Sequence, residues 1–295
     1  MSADNLRVAT VLGAGTMGAG IAQVCAQAGL ATRLYDIEDA YVEKGQARIL
    51  GMLDKGVAKG KVTQEQRDAT VDLLTTTSDL DGALDEDVDV VIEAVPERLE
   101  LKQQLFTSIG ERVTTDCLVA SNTSSLPITT LAESCALPER FIGLHFFNPV
   151  PLMKLLEIVV GEKTSDATVT LARAFGERLG KDPIVVRDAP GFASSRLGIA
   201  LGLEAMRMVE EEVASAEDID KAMKLGYRHP MGPLELTDLV GLDVRLDIAD
   251  HLARELSDER FKAPQLLRDM VERGDLGKKS GEGFYNWAEG KAEPK

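Results

Sequence analysis

The side chains best suited to acid–base chemistry are His145, within Gly143-Leu144-His145-Phe146-Phe147-Asn148-Pro149, and Glu157, twelve residues later within Lys154-Leu155-Leu156-Glu157-Ile158-Val159. An acid set between apolar pairs of a strand is costly to bury without a partner. A histidine one hairpin away supplies one. Such a pair is a general base, because the carboxylate fixes the imidazole tautomer and stabilises the imidazolium that forms. The plain alternative is an edge strand that leaves Glu157 in water. Hydroxyls and an amide gather at Ser121-Asn122-Thr123-Ser124-Ser125, where a strand beginning near Leu118 ends. Ligands bind at that carboxyl edge in doubly wound sheets, although a Ser/Thr-rich strand end is also an ordinary turn.

A second chemistry, anion binding, is written near the N-terminus. Gly13-Ala14-Gly15-Thr16-Met17-Gly18 follows a short apolar strand and opens a helix, the context in which a glycine-rich turn cradles a dinucleotide. Gly13 permits the tight turn, Gly15 lets backbone N–H groups approach the pyrophosphate, and Gly18 lets helix pack close to strand. Thr16 and Met17 begin the helix whose positive end faces the phosphates. Asp36, eighteen residues past Gly18, ends the second strand, where a carboxylate binds the adenosine ribose hydroxyls. It would repel a 2′-phosphate, and Ile37 follows in place of an arginine, so NAD is expected rather than NADP.

The elements that must position these groups follow from hydrophobic period. Apolar runs at Val8 to Leu12, Val88 to Ala94, Leu118 to Ser121, Phe141 to Leu144, Leu155 to Val160 and Ile184 to Val186 read as strands of a parallel sheet covered on both faces. Leu101, Leu105 and Ile109 mark one crossover helix, and Val169, Ala172, Gly176 and Leu179 another. Between Asp36 and Asp79 the pattern is long, charged and helical, with Thr63 and Gln66 forming a capping box. This predicts a helical hairpin, inserted at about residues 38–70 and standing away from the sheet. Beyond Asp188 strand signals vanish: Leu197 to Val209 is apolar on a helical period, and Ser215 with Asp218 caps a further helix. The expected domains are 1–187, a dinucleotide-binding α/β domain, and 188–295, an all-α domain. Only the final AEGKAEPK is expected to be disordered.

Composition narrows the class. The 295 residues are 44% hydrophobic and 28% charged, ordinary for a soluble globular chain of two moderate domains. Cys25, Cys117 and Cys135 are scattered and odd in number, as buried thiols of a reducing compartment would be, and no zinc or other metal site is expected. The polar start MSADN and the lack of a long apolar run predict a cytoplasmic protein without a membrane span. A net charge of −16 opposes binding to nucleic acid or an anionic membrane. An anionic ligand would need local basic groups, for which Lys55, Lys59 and Lys61, with Arg98 and Lys102, are the candidates; singly, each also reads as a solvated lysine or arginine on a helix face.

SNTSSL, GLHFFNP and MKLLEIV, in that order after GAGTMG, resemble the 3-hydroxyacyl-CoA dehydrogenase family. The resemblance spans nearly the whole chain, through Ala189-Pro190-Gly191-Phe192, Asp218 to Met223, His229-Pro230-Met231-Gly232-Pro233 and Lys278 to Tyr285. It implies a Rossmann-type domain followed by a helical domain for substrate and dimerisation, NAD as cofactor and an acyl-CoA as substrate, short-chain 3-hydroxybutyryl-CoA being the expected type. It further implies His145 as catalytic base, Glu157 as its partner, and Ser124 as contact to both substrate hydroxyl and nicotinamide. Asn148, Glu97, Lys102 and Lys279 match cofactor-contacting positions, and Lys55 and Lys59 fall where coenzyme A is held. The chain departs from the family at Ser195, where the pattern after Gly191-Phe192 usually has a substrate-facing asparagine. Two rival readings remain: a hydroxyacid or sugar-acid dehydrogenase acting on a non-thioester alcohol, and a non-catalytic relative like the lens crystallins, which would have no need of an acid–base pair.

Overall fold

The computed structural model describes residues 2–288 and 290–295. The chain divides into a first compact unit ending at Phe192 and a second beginning at Ala193. The first unit alternates strand and helix: β1 Val8–Leu12, α1 Thr16–Gln27, β2 Ala31–Tyr35, α2 Asp39–Ala58, α3 Gln64–Asp72, β3 Leu74–Thr77, α4 Leu80–Ala83, β4 Val90–Glu93, α5 Leu99–Gly110, β5 Leu118–Ser121, α6 Ile128–Ala132, β6 Phe141–Phe146, β7 Leu155–Val160, α7 Asp166–Arg178 and β8 Asp182–Arg187. They form one eight-stranded sheet in the order β3-β2-β1-β4-β5-β6-β7-β8. All neighbours are parallel except β6 and β7, which form an antiparallel pair, so the sheet is mixed rather than purely parallel.

Burial explains which runs became which strands. Every residue of β4, β5 and β6 is buried, as central strands covered on both faces must be, whereas β8 is an edge strand blunted by Asp182, Pro183 and Arg187. Leu74–Thr77 lies inside the stretch expected to be wholly helical, yet its threonines, β-branched and suited to a pleat, pair with β2. The inserted hairpin exists, and Thr63 and Gln66 cap α3 reciprocally. It does not stand away from the sheet: Ile49 and Leu53 of α2 are buried in the main core, and Gly45 lets α2 approach until an added Cβ would lie 2.8 Å from that of Ala14.

The division falls five residues beyond the expected 187/188 boundary, and the cause is local. Phe192 packs in an apolar cluster of the first unit, and Asp188 accepts the N–H of Thr129 at 2.8 Å, so the turn after β8 stays with the sheet.

The second unit contains α8 Ser194–Glu210, α9 Ala216–Gly226, α10 Pro233–Val240, α11 Leu242–Leu256 and α12 Gln265–Arg273 around Leu203, Met206, Leu234, Leu252 and Leu267. Ser215 caps α9 through the N–H of Asp218. The second unit is helical as expected, with one addition: β9 Asn286–Ala288 and β10 Lys291–Glu293 form an antiparallel ribbon, so the described residues of the AEGKAEPK segment are ordered where disorder was expected. Buried Asp238 ties this segment down, accepting the N–H groups of Phe284 and Tyr285 and the indole N–H of Trp287.

Candidate active site

The antiparallel register of β6 and β7 sets His145 directly opposite Glu157. Their side chains meet through Nδ1 and Oε2 at 2.7 Å, with Glu157 fully buried and His145 nearly so. An ionised carboxylate only accepts, so Nδ1 carries the hydrogen and Nε2 keeps its lone pair. Phe147 and Phe192 flank the imidazole, with ring centroids 4.6 and 5.7 Å away. The edge-strand alternative is overturned, since β7 is paired on both sides.

Ser124 sits on a turn built around Glu97. Glu97 Oε1 accepts from the Thr123 hydroxyl at 2.6 Å, from the N–H groups of Ser124 and Ser125 at 3.0 and 3.1 Å, and from the Ser125 hydroxyl at 3.0 Å. Its other oxygen meets the Lys102 ammonium at 3.0 Å, and that ammonium donates to Glu93 at 2.7 Å. The bland reading of Lys102 as a solvated lysine fails: it is 1% exposed. Burial pushes the Glu97 carboxyl up, but the Lys102 charge and the bonds from Thr123 and Ser124 outweigh it and hold the group below its ordinary range. For Glu93 burial wins, and the carboxyl stays above its ordinary range despite Lys102 and the Ser121 hydroxyl, which donates to it at 2.6 Å. The Asn122 amide oxygen accepts the N–H of Phe146 and so ties this turn to the end of β6 beside His145.

Sequence reasoning missed Glu93, and it noted Ser121 only as one member of a hydroxyl-rich strand end. The signal was present, because Glu93 ends the apolar run Val90-Val91-Ile92, the same pattern that singled out Glu157.

Met17, Glu97, Lys102, Ser124, His145 and Asn148 line a cavity of about 350 Å³. A second cavity of about 740 Å³ shares Met17, Ala94 and Val95 with it and runs past Gly13, Gly15 and Thr16 to Asp36. Asp36 is fixed at its mouth, accepting from the N–H of Ala14 at 2.7 Å and of Ile37 at 2.8 Å. Ile37 and Tyr41, exposed apolar side chains whose types alone gave no functional signal, complete this wall.

The glycines test whether a dinucleotide fits. Gly13 has φ +106°, and a Cβ there would lie 2.6 Å from the Ala94 carbonyl oxygen; a Cβ on Gly18 would strike the Gly13 carbonyl at 1.7 Å. Both enforce close packing. At Gly15, by contrast, an added Cβ meets nothing within 4 Å, so the N-terminus of α1 opens on free space suited to a pyrophosphate. The residues present fit NAD.

The remaining expected site residues are Lys55, Lys59, Ser195 and Lys279. Lys55 and Lys59 are exposed near the end of α2 and line neither. Ser195, in the first turn of α8, and Lys279, ion-paired with Asp243, belong to the second unit. Cys25 and Cys117 are buried thiols pushed up to about 12 chiefly by burial, and among the described residues no group of acids, cysteines and histidines is arranged to hold a metal.

Known proteins resemble this chain over nearly its whole length. The model of the 3-hydroxyacyl-CoA dehydrogenase NAD binding domain matches residues 8–189, and that of the family's C-terminal domain matches residues 191–287. A probable 3-hydroxybutyryl-CoA dehydrogenase of Deinococcus radiodurans is 44% identical, covering 94% of this chain and 99% of the relative. One of Bacillus subtilis is 43% identical, covering 95% and 96%. The crystal structure of (S)-3-hydroxybutyryl-CoA dehydrogenase from Ralstonia eutropha superposes with a TM-score of 0.92 at 41% identity, covering 97% of this chain and all of the other.

Proposed function

The chain belongs to the 3-hydroxyacyl-CoA dehydrogenase family, and on that premise we propose that it catalyses the reversible NAD-dependent oxidation of a short-chain (3S)-3-hydroxyacyl-CoA, such as 3-hydroxybutyryl-CoA, to the 3-oxoacyl-CoA. The observation that carries this reading is the buried His145–Glu157 pair, 2.7 Å apart, with His145 lining the same cavity as Ser124 and Asn148. His145 Nε2 takes the proton of the 3-hydroxyl, and Glu157 stabilises the imidazolium that results. Ser124 orients the alcohol oxygen, its turn held rigid by Glu97, so that little reorganisation is left to the reaction. When bound, NAD supplies the hydride acceptor. Gly13, Gly15, Thr16, Met17, Gly18 and Asp36 would hold its pyrophosphate and adenosine ribose, Asn148 would lie near the nicotinamide, and Glu97, Lys102 and Lys279 would contact the cofactor.

Lys55 and Lys59 take the coenzyme A phosphates, offering local positive charge in a chain of net charge −16. Ser195 replaces an asparagine as the substrate contact of the helical domain, through which two copies pair as a homodimer. No described helix is long and apolar enough to cross a membrane; the place of work is the cytoplasm, in fatty-acid or related acyl-CoA metabolism.

NADH formation with 3-hydroxybutyryl-CoA and with free 3-hydroxybutyrate tests the reading. The thioester is expected to lead in kcat/KM by at least about a hundredfold, because the bound coenzyme fixes the reacting carbon. Equal or better turnover of the free acid would move the protein to the hydroxyacid dehydrogenases, and no NAD reduction with either would revive the non-catalytic reading.

A further inference from the structure

Lys154, Arg178 and Lys181 gather around a cavity of about 280 Å³ in the first unit, which shares no lining residue with the two cavities of the candidate site. Lys154 directly precedes β7, Arg178 ends α7 and Lys181 directly precedes β8. The chain as a whole carries a net charge of −16, yet among the described residues none of these three cations is ion-paired. The acids beside them in the chain, Glu177 and Asp182, are exposed and pair with none of them. Every hydrogen bond the three make goes to a backbone carbonyl. Lys154 donates to Gly180 at 3.1 Å, and Lys181 donates to Val150 and, at 2.9 Å, to Met153. Arg178 donates to Ala3 at 2.7 Å, to Leu6 at 2.8 Å and to Ala28 at 3.2 and 3.3 Å.

Carbonyls answer the donors but not the charge. Each is a neutral dipole, and Lys181 is 6% exposed, so a full charge is held where water screens it little. Burial first, and then the like charge of Lys154, push the Lys181 ammonium below the ordinary lysine range. A cation at the end of a helix does serve its last carbonyls, and Arg178 does so for Ala28, which caps α1. That role does not extend to Lys181, which bonds carbonyls of a loop and sits in the field of Lys154. A lysine ammonium and a guanidinium carry more N–H groups than these carbonyls take up. Each of the three therefore keeps a donor for a further acceptor. Three cations around one small space match a dianion with several oxygens, which describes a phosphate group; a carboxylate brings half the charge and fewer acceptors.

We propose that this cavity is a phosphate-binding site formed by Lys154, Arg178 and Lys181. It goes beyond the dehydrogenase reading and does not depend on the reaction. Orthophosphate and the phosphates of coenzyme A share the required chemistry, and the experiment separates them.

The test is calorimetric titration of the full chain with inorganic phosphate at constant ionic strength, with NAD saturating so that the N-terminus of α1 is already occupied. The parent should bind one phosphate per chain. Lys154→Gln, at an exposed side chain outside the candidate active site, should weaken binding by at least about tenfold, and Lys181→Met by at least as much. Lys163→Gln makes the same charge change at an exposed lysine that does not line the cavity, and should bind as the parent does. Phosphate should raise the Tm of the parent and of Lys163→Gln more than that of Lys154→Gln. Repeating the titration with coenzyme A present identifies the source. Phosphate binding unaffected by the coenzyme assigns the site to free phosphate, and competition that Lys154→Gln weakens assigns it to the coenzyme. No phosphate binding by the parent, or equal affinity in the parent, Lys154→Gln and Lys181→Met, would overturn the proposal and leave the three cations as carbonyl partners only. Equal weakening in Lys163→Gln would also overturn it, by reducing the effect to net charge. NADH formation with 3-hydroxybutyryl-CoA is measured separately, so the dehydrogenase reading survives each of these failures.

Discussion

Replacing Lys102 with methionine removes the cation from the most deeply buried charge cluster next to the candidate site. Lys102 and Glu93 are 1% and 0% exposed and 2.7 Å apart, with Glu97 at 3.0 Å on the other side of the ammonium. Methionine keeps most of the apolar stem, so the loss is electrostatic, and stranding a buried charge in this way costs about 3–5 kcal/mol. For a unit of this size that corresponds to roughly 6–20 °C in Tm. The penalty depends on pH with a definite sign. The folded Glu93 carboxyl already lies above its ordinary range, and removing Lys102 raises it further. A carboxyl raised by folding binds its proton more tightly in the native state, so it destabilises progressively as pH climbs above the unfolded value of about 4.3. Glu97, held below its ordinary range in the parent, contributes stability that is lost as pH falls; without Lys102 that contribution shrinks. Both effects make the gap between parent and Lys102→Met small at pH 5 and large at pH 8. Thermal unfolding followed by circular dichroism at the two pH values reads it directly. Adding Glu93→Gln to Lys102→Met should restore part of the loss at pH 8, since the stranded charge is then gone. An equal gap at both pH values, or a double variant no more stable than the single one, would refute the reasoning.

His145→Gln should lose about 100- to 10,000-fold in kcat with NAD affinity intact. Glu157→Gln, which gives up a charge-assisted bond of about 1.5–3 kcal/mol, should lose roughly 10- to 100-fold; stopped-flow turnover with a separate NAD titration distinguishes these, and an unchanged kcat in His145→Gln means the proton acceptor is misassigned. Asp36→Ala should narrow a preference for NAD over NADP of roughly a hundredfold or more, because a fixed carboxylate facing a 2′-phosphate repels it; equal kcat/KM for the two cofactors in the parent would sink that argument. Ser195→Asn should stay within roughly tenfold of the parent on 3-hydroxybutyryl-CoA, since a water can relay the shorter contact, whereas Ser124→Ala should fall well below it. The opposite order would mean that the pocket is built around Ser195.

The rival readings differ in what they ask of His145 and Glu157. A purely structural role gives no reason to aim an imidazole, fixed in one tautomer by a buried carboxylate, at a cavity shared with Ser124 and Asn148. The non-thioester alternative needs the same pair and differs only in the ligand, which is why the substrate comparison and not the fold separates them.

What the sequence determined by itself was local in origin. A glycine turn, an end-of-strand acid, two capping motifs and an acid inside an apolar strand each carry a physical signature within a few residues. Thus Gly13 to Gly18, Asp36, Thr63 with Gln66, Ser215 with Asp218, and the match of His145 to Glu157 across one hairpin are all legible in the order of residues alone. Contacts between residues far apart in the chain decided the rest. The threonines of β3 became a strand because β2 offers them a partner, and α2 lies flat because Gly45 and Ala14 permit it. The terminal ribbon is ordered because Asp238, buried on α10, accepts from Phe284, Tyr285 and Trp287. Lys102 and Lys181 make the point most sharply. Nothing local distinguishes either from a solvated lysine, and burial, which only the tertiary structure sets, gave one of them two carboxylates and the other only carbonyls. A charge in water needs no partner, while the same charge in the interior must find one, so the function of such residues is settled by packing rather than by pattern.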